Sequence, residues 1–300
     1  GPDARCYSEF CKLREVIMKK HPHYGHVIKS RVSSALWQAI LDRCARTGET
    51  PDHVIQSALA AELDIKHHTL FQVSTSTALV QGIYNGCMTV EEIKKHGDFG
   101  LGTFDELDGE GIMFDGEVWH ARSDGSVVLA ANDELAPFWA TTTFVSQVSC
   151  ALSVVSSWDD LCQQLDQMRS SQNIFTSICI KGVFKHIQYR VACKAEQGID
   201  LVSATNNQAV FELNDCRGTL VGFWTPAYAK TLNVPGYHLH LLSDDKRSGG
   251  HVLSLSADNL ELMLAEETDF KIALPESVEF LQADLSIDPS EALAKAEGAK

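Results

Sequence analysis

The sequence predicts an α+β protein, with a helical N-terminal extension over residues 1–65 and a β-rich domain over residues 66–300. Two observations carry that division. Apolar residues recur with a 3.6 period before residue 65, and strand-like alternation takes over from Leu70 onward. Charge divides at the same place: residues 1–65 hold nine Lys/Arg against eight Asp/Glu, so of the net −15 the remainder carries −16.

Within the extension, Ser8 is placed to cap a helix carrying Phe10, Leu13, Val16 and Ile17 and ending near His21-Pro22. A short β-like run follows, His26 to Val32. A second helix is capped by Ser33 or Ser34, shows Leu36, Ile40 and Cys44 on one face and stops at Gly48. A third starts with Thr50 as N-cap and Pro51 in its first turn, and presents Val54, Ile55, Ala58 and Leu59. A strand followed by two helices joined at Gly48-Glu49-Thr50 loosely resembles the ribbon-helix-helix module. Such modules read DNA with basic strand residues, and only Lys29 and Arg31 are available here. A docking or dimerising extension is the simpler expectation.

In the second part, Leu70–Gln81 opens as a strand, and Thr89–His96 reads as a short amphipathic helix before a glycine-rich turn. Met113–Trp119 has Asp115-Gly116 as its turn, Val127–Ala130 is a short strand, and Thr141–Ser157 is a Ser/Thr/Val-rich strand region. Trp158–Arg169 brings Leu161, Leu165 and Met168 into helical phase. Four β segments follow, Ile174–Ile180, Phe184–Val191, Ala209–Leu213 and Leu220–Phe223. The final stretch, Phe280–Lys300, runs into a terminal helix with Pro289 near its start.

Composition excludes several classes. A chain that is 44% hydrophobic can bury a sizeable core, and a net charge of −15 argues against a nucleic-acid partner. Nine cysteines, odd in number and without a CxxC, suggest reduced thiols in a cytoplasmic protein. The most apolar stretch, Phe138–Trp158, is interrupted by Ser, Thr and Gln147, so no membrane span is expected. Gly1-Pro2 resembles a tag-cleavage scar, leaving open whether a targeting segment once preceded it.

Chemistry concentrates in Gly236–His251, GYHLHLLSDDKRSGGH. His238 and His240 are two apart and leave one face of a strand. The polar, glycine-rich loop that follows can reverse the chain and bring His251 alongside them. A His-x-His pair by itself also suits a solvated strand face. With the third imidazole it forms a metal set, and with no fourth His or Cys nearby such a site keeps an open coordination position, as catalytic zinc sites do. Two further clusters stand out. His96–Glu110, HGDFGLGTFDELDGE, lacks a P-loop ending and reads as a turn-rich loop placing Glu110 near the metal. Gly182–Arg190, GVFKHIQYR, alternates so that Phe184, His186, Gln188 and Arg190 share a face, making Arg190 an inward cation for an anionic substrate.

Together with LVGFWTP, NVPGYHLHLLSDDKRSGGH and FLQADL, these clusters resemble the α-acetolactate decarboxylase family from about Leu70 to the C-terminus. The resemblance implies a two-part domain of mixed and antiparallel β-sheets, a homodimer and a lyase acting on 2-acetolactate. It also implies His238, His240 and His251 as ligands of Zn2+ or another divalent ion, with Glu110, Arg190 and Glu297 as catalytic groups. No organic cofactor is implied. The reaction is decarboxylation of (S)-2-acetolactate to (R)-acetoin and CO2. The ion stabilises charge moving onto the ketone, Arg190 orients the substrate, and protonated Glu110 or Glu297 supplies a proton to one face. After the arginine the family usually continues with a Ser/Thr-Val-Pro run, whereas this chain reads Val191-Ala192-Cys193-Lys194. Two other readings compete: an acetolactate-binding sensor coupled to the N-terminal module, and a cupin-like metal oxygenase or hydrolase. A cupin would add a glutamate shortly after the histidine pair, where this chain has Leu241-Leu242-Ser243-Asp244.

Overall fold

Residues 27–65 and 68–298 are described by the structure, a computed structural model. The chain divides into two compact units, residues 1–67 and 68–300. In the first, helix α1 (Ser34–Thr47) starts where Ser33 Oγ accepts from the Leu36 amide at 3.2 Å. It ends at Gly48, whose φ of 77° lets its N–H reach the Cys44 carbonyl. Helix α2 (Pro51–Glu62) is capped by Thr50, with proline in its first turn. Their shared core is Ile40, Cys44 and Val54. The buried stripe is narrower than the sequence predicts, since Leu36, Ile55 and Leu59 are exposed.

One expectation is corrected in this unit. Residues 27–33 form no strand, and no described segment pairs with them. A β-like run without a partner leaves its backbone groups to water, and Val27 and Ile28 are largely exposed. The ribbon-helix-helix resemblance therefore lacks its ribbon among the described residues. The Ser8-capped helix, Phe10 to Ile17, lies outside them.

The second unit is built on two large sheets. A mixed sheet has the order β14-β1-β8-β3-β4-β5-β6. Its strands are β1 (Thr69–Val73), β3 (Phe99–Thr103), β4 (Glu110–Phe114), β5 (Glu117–Ala121), β6 (Val127–Leu129), β8 (Phe138–Thr142) and β14 (Asp269–Ala273). Only β1 and β14 pair in parallel. The second sheet is antiparallel, β10-β11-β12-β13-β9, from β9 (Val148–Leu152), β10 (Phe175–Val191), β11 (Ala209–Thr225), β12 (Gly236–Ser243) and β13 (Gly249–Glu267). Because β10 also pairs with β13, four of these strands close into a ring. A two-residue ladder joins β2 (Met88–Thr89) to β7 (Leu135–Ala136). Helices α3 (Ser76–Val80), α4 (Val90–Lys94), α5 (Trp158–Met168), α6 (Leu201–Thr205), α7 (Val278–Gln282) and α8 (Ser290–Ala296) fill the connections. The class is α+β, as the sequence predicts.

Several elements differ from expectation for identifiable reasons. The four predicted β segments are two long strands, β10 and β11, since Lys181-Gly182 and Asp215 interrupt the apolar pattern while the register continues unchanged on both sides of them. The glycine-rich run after His96 is strand β3 rather than a turn-rich loop. Glycine on this strand and on its neighbour β4 admits the fully buried Trp139: a Cβ on Gly102 of β3 or Gly111 of β4 would stand 2.3 or 2.2 Å from that ring. Glu110 is accordingly the first residue of β4, not a loop residue. Ser76–Val80 turns helical directly after β1 because Thr75 caps the Ala78 amide.

α8 and the chain end pack into the unit through a cluster that includes Val80, Tyr84, Leu107, Leu201, Leu293 and Ala296. That packing carries residue 297 back to the mouth of the strand ring. Tertiary burial, not local propensity, fixes a seven-residue helix of this kind.

Candidate metal centre and active site

His240, His251 and Arg190 lie on one rung: His240 pairs with His251 across β12 and β13, and His251 with Arg190 across β13 and β10. His238 is two residues along β12, on the same face. The turn between the strands ends at Gly249-Gly250, where the chain is tightly enclosed. A Cβ on Gly250 would stand 2.5 Å from the Arg190 carbonyl. All three histidines are buried, and their nearest ring nitrogens lie within 4.8 Å of one another.

Hydrogen bonds fix which nitrogens face inward. His240 Nδ1 lies 2.9 Å from the Gly111 carbonyl, and His251 Nε2 lies 3.1 Å from the Glu297 carbonyl. A carbonyl only accepts, so each of those nitrogens carries the proton and donates it. The lone pairs left are on His240 Nε2 and His251 Nδ1. His240 Nε2 faces His238 Nε2 at 3.1 Å. His251 Nδ1 lies 3.2 Å from Glu297 Oε2 but off the line of a hydrogen bond, so this buried atom has no partner.

Burial, and next the charge of Arg190, hold His238 down at about 3. Burial likewise keeps His240 and His251 well below the ordinary histidine range. Three neutral imidazoles with converging lone pairs, two of them oriented by backbone carbonyls, are the donor set of a divalent transition metal. The 3.1 Å separation of His238 Nε2 and His240 Nε2 is close to the roughly 3.3 Å that two ligands at about 2.0–2.1 Å span on a tetrahedral ion.

Two carboxylates and one guanidinium complete the site. Arg190 donates from Nη1 to Glu110 Oε1 at 3.3 Å and from Nη2 to Glu297 Oε2 at 2.9 Å, and is only 4% exposed. Glu110 Oε1 also accepts from the Ala192 amide at 3.1 Å, and Glu110 Oε2 lies 3.5 Å from His240 Nε2. Glu297 Oε2 lies 3.8 Å from His238 Nε2. Burial pushes the Glu110 carboxyl up to about 7, with the Glu297 charge adding to it. The opposing pull of Arg190 and the Ala192 amide does not offset the loss of water.

All six residues singled out in the sequence thus meet in one place, and Glu110, Arg190, His238, His240 and Glu297 line a common cavity of about 50 Å³. That is space for roughly four water-sized groups. On β10, His186 and Gln188 bond outward to Asn214 and Glu212, while Phe184 and Arg190 are buried. The Val191–Lys194 segment contributes chiefly through its backbone: the Ala192 amide holds Glu110 and its carbonyl accepts from Gly109 at 3.1 Å. Lys194 turns away to pair with Glu106. The sequence reading missed three groups: the Gly111 and Glu297 carbonyls that orient imidazoles, and Ser76, which lines the cavity. Backbone carbonyls leave no mark in residue identity, and Ser76 is one of several hydroxyl residues in a row.

Comparison with known proteins agrees with this picture. Residues 70–287 match the family described as Alpha-acetolactate decarboxylase. The chain is 37% identical over 217 residues to the alpha-acetolactate decarboxylase of Bacillus subtilis (strain 168), covering 72% of this chain and 85% of that protein. It is 39% identical over 234 residues to that of Raoultella terrigena, covering 77% and 90%. The crystal structure of alpha-acetolactate decarboxylase from Bacillus subtilis strain 168 superposes with a TM-score of 0.75 at 36% identity, covering 77% of this chain and 99% of that one. A Staphylococcus aureus protein of unknown function, described as similar to alpha-acetolactate decarboxylase, superposes with a TM-score of 0.72 at 29% identity, covering 77% and 100%. With a family match across residues 70–287 and relatives of this identity and coverage, the chain belongs to the alpha-acetolactate decarboxylase family.

Proposed function

We propose that this chain decarboxylates (S)-2-acetolactate to (R)-acetoin and CO2, with Zn2+ held by His238, His240 and His251 and with Glu110, Arg190 and Glu297 as the catalytic groups. The reading rests on one observation above the others. Three neutral, converging imidazoles stand beside a guanidinium that carries a carboxylate on each side, and two of the three line its cavity.

Loss of CO2 breaks the C1–C2 bond and leaves its electron pair on C2, next to the C3 ketone. A divalent ion on the three histidines supplies a Lewis acid for the charge that develops on the ketone and hydroxyl oxygens, an effect worth several kcal/mol in such sites. Arg190 keeps positive charge beside the incoming anion and holds both carboxylates in place. Glu110, buried and raised to about 7, keeps a proton available near neutral pH and delivers it to C2. Glu297, brought in by α8, closes the opposite side of the guanidinium and orients His251 through its own carbonyl. Delivery from one side gives one enantiomer of acetoin.

In this reading residues 66–300 form the catalytic domain and residues 1–65 an extension, and the protein works as a homodimer in the cytoplasm. No described helix is long and apolar enough to cross a membrane. The test is incubation of the purified protein, its metal content measured, with racemic 2-acetolactate. Acetoin formed from half the substrate, in one enantiomeric form, is the expected result. Zinc-loaded protein that binds acetolactate without releasing acetoin would replace the enzyme with a sensor.

A further inference from the structure

We propose that Ser76 is a substrate-contacting residue whose hydroxyl donates a hydrogen bond to the carboxylate of the bound 2-hydroxy-3-oxo acid; this rests on the decarboxylase reading above. Ser76 is 1% exposed and lines the same cavity as Glu110, Arg190 and His238, yet its Oγ has no hydrogen-bond partner. Its neighbours show what an ordinary buried hydroxyl does at this turn. Thr75 Oγ1 caps the Ala78 amide at 3.1 Å, and Thr77 donates to the Thr231 carbonyl at 2.7 Å.

The other hydroxyls in the cavity wall are already committed. Thr103 donates to the Gly109 carbonyl at 2.7 Å, and Thr205 donates to the Leu201 carbonyl at 2.9 Å within its own helix. Arg190 has likewise given one N–H of Nη1 to Glu110 and one of Nη2 to Glu297, and its Nε is without a partner. The substrate's carboxylate enters as a third anion beside two carboxylates. Its negative charge needs a donor that neither glutamate has claimed, and the Ser76 hydroxyl, on α3 and apart from the metal set, is such a donor.

The role has a kinetic signature. The carboxylate is anionic in the ground state and becomes neutral CO2 as the C1–C2 bond breaks, so a hydrogen bond to it weakens on the way to the transition state. Removing it raises KM and does not lower kcat, which rises to the extent that the bond is already lost in the transition state. For Ser76→Ala the expected result is a roughly tenfold higher KM for acetolactate, a kcat at or above that of wild type, and unchanged inhibition by acetoin, which has no carboxylate. The metal content should match wild type.

An unchanged KM would overturn the proposal, as would a kcat that falls tenfold. Acetoin inhibition weakened by the same factor as KM would also overturn it, since Ser76 would then contact the ketol oxygens or only shape the wall. A wild-type protein that makes no acetoin strikes the decarboxylase reading instead; the contact is then tested by calorimetric binding of acetolactate to wild type and Ser76→Ala, where equal affinity would overturn it.

Discussion

Glu110 and Glu297 sit on the two arms of one guanidinium, 3.3 and 2.9 Å from Arg190 Nη1 and Nη2, although they are 187 positions apart in the sequence. Among the described residues, neither carboxylate has another cationic side chain within ion-pair distance apart from the histidines, which burial keeps neutral. Arg190 is therefore the charge on which both depend. Its planar fork is suited to two acceptors at once, which a single ammonium is not.

Replacing Arg190 with methionine leaves the buried Glu110 and the partly buried Glu297 without their cation, and a loss of about 3–5 kcal/mol is expected. Protonating the carboxylates relieves that cost, so the deficit should be larger at pH 8 than at pH 5. Urea denaturation at the two pH values measures it. Arg190→Lys should recover part of the stability and little of the activity. Equal stability of the methionine variant and wild type at pH 8 would show that the pairs contribute nothing.

Glu110→Gln keeps the shape of the side chain and its acceptor oxygen for the Ala192 amide, but removes the transferable proton. Metal content should stay close to wild type. Turnover should fall by about 100- to 10,000-fold, the usual worth of a general acid. The companion His238→Ala should lose metal and activity together. An active Glu110→Gln enzyme would take Glu110 out of the proton transfer and leave Glu297 as the candidate.

A chain ended after Asp288 lacks α8 and both of the contacts that Glu297 makes: its carboxylate on Arg190 and its carbonyl on His251 Nε2. Losing the group that orients a ligand imidazole typically weakens metal binding by about 10- to 100-fold. Glu297→Gln keeps the carbonyl. It should therefore hold metal nearly as wild type while losing turnover, whereas the shortened chain should lose both in a chelator titration. Equal metal retention in the two would mean that the Glu297 carbonyl does not orient His251.

How much of this could be read in the sequence depends on whether the information is local. The caps at Ser33 and Thr50 were legible because a cap is a contact between residues three apart. The histidine hairpin was legible because strand period and a double glycine place three rings together. The length of β10 and β11 was not, since Lys181, Gly182 and Asp215 look like chain breaks until the partner strands are known. Nor was β3, whose glycines answer to the distant Trp139. Glu110 stood out as a carboxylate near the metal and Glu297 came into view only through family resemblance, because nothing near either residue indicates that a guanidinium on β10 will join them.

Glu267 gives a pH effect away from the metal. It ends β13 and is 4% exposed; its Oε1 accepts from Ser177 Oγ at 2.7 Å while its Oε2 has no partner. Burial raises its carboxyl from 4.5 to about 7, against the lowering effect of the Ser177 and Thr142 hydroxyls. Between those two values the folded protein holds a proton that the unfolded chain has released, so stability falls as pH rises through this window. It is fully present below 4.5 and is lost above about 7. A shift of this size corresponds to an effect on the order of 3 kcal/mol. Glu267→Gln removes it: the variant should match wild type near pH 4.5 and exceed it by several degrees in melting temperature at pH 8. The buried histidines oppose this slope, since they lose stability as pH falls, but they do so equally in both proteins and cancel in the difference. Parallel melting curves of variant and wild type from pH 4.5 to 8 would mean that the Glu267 carboxyl titrates as it does in the unfolded chain.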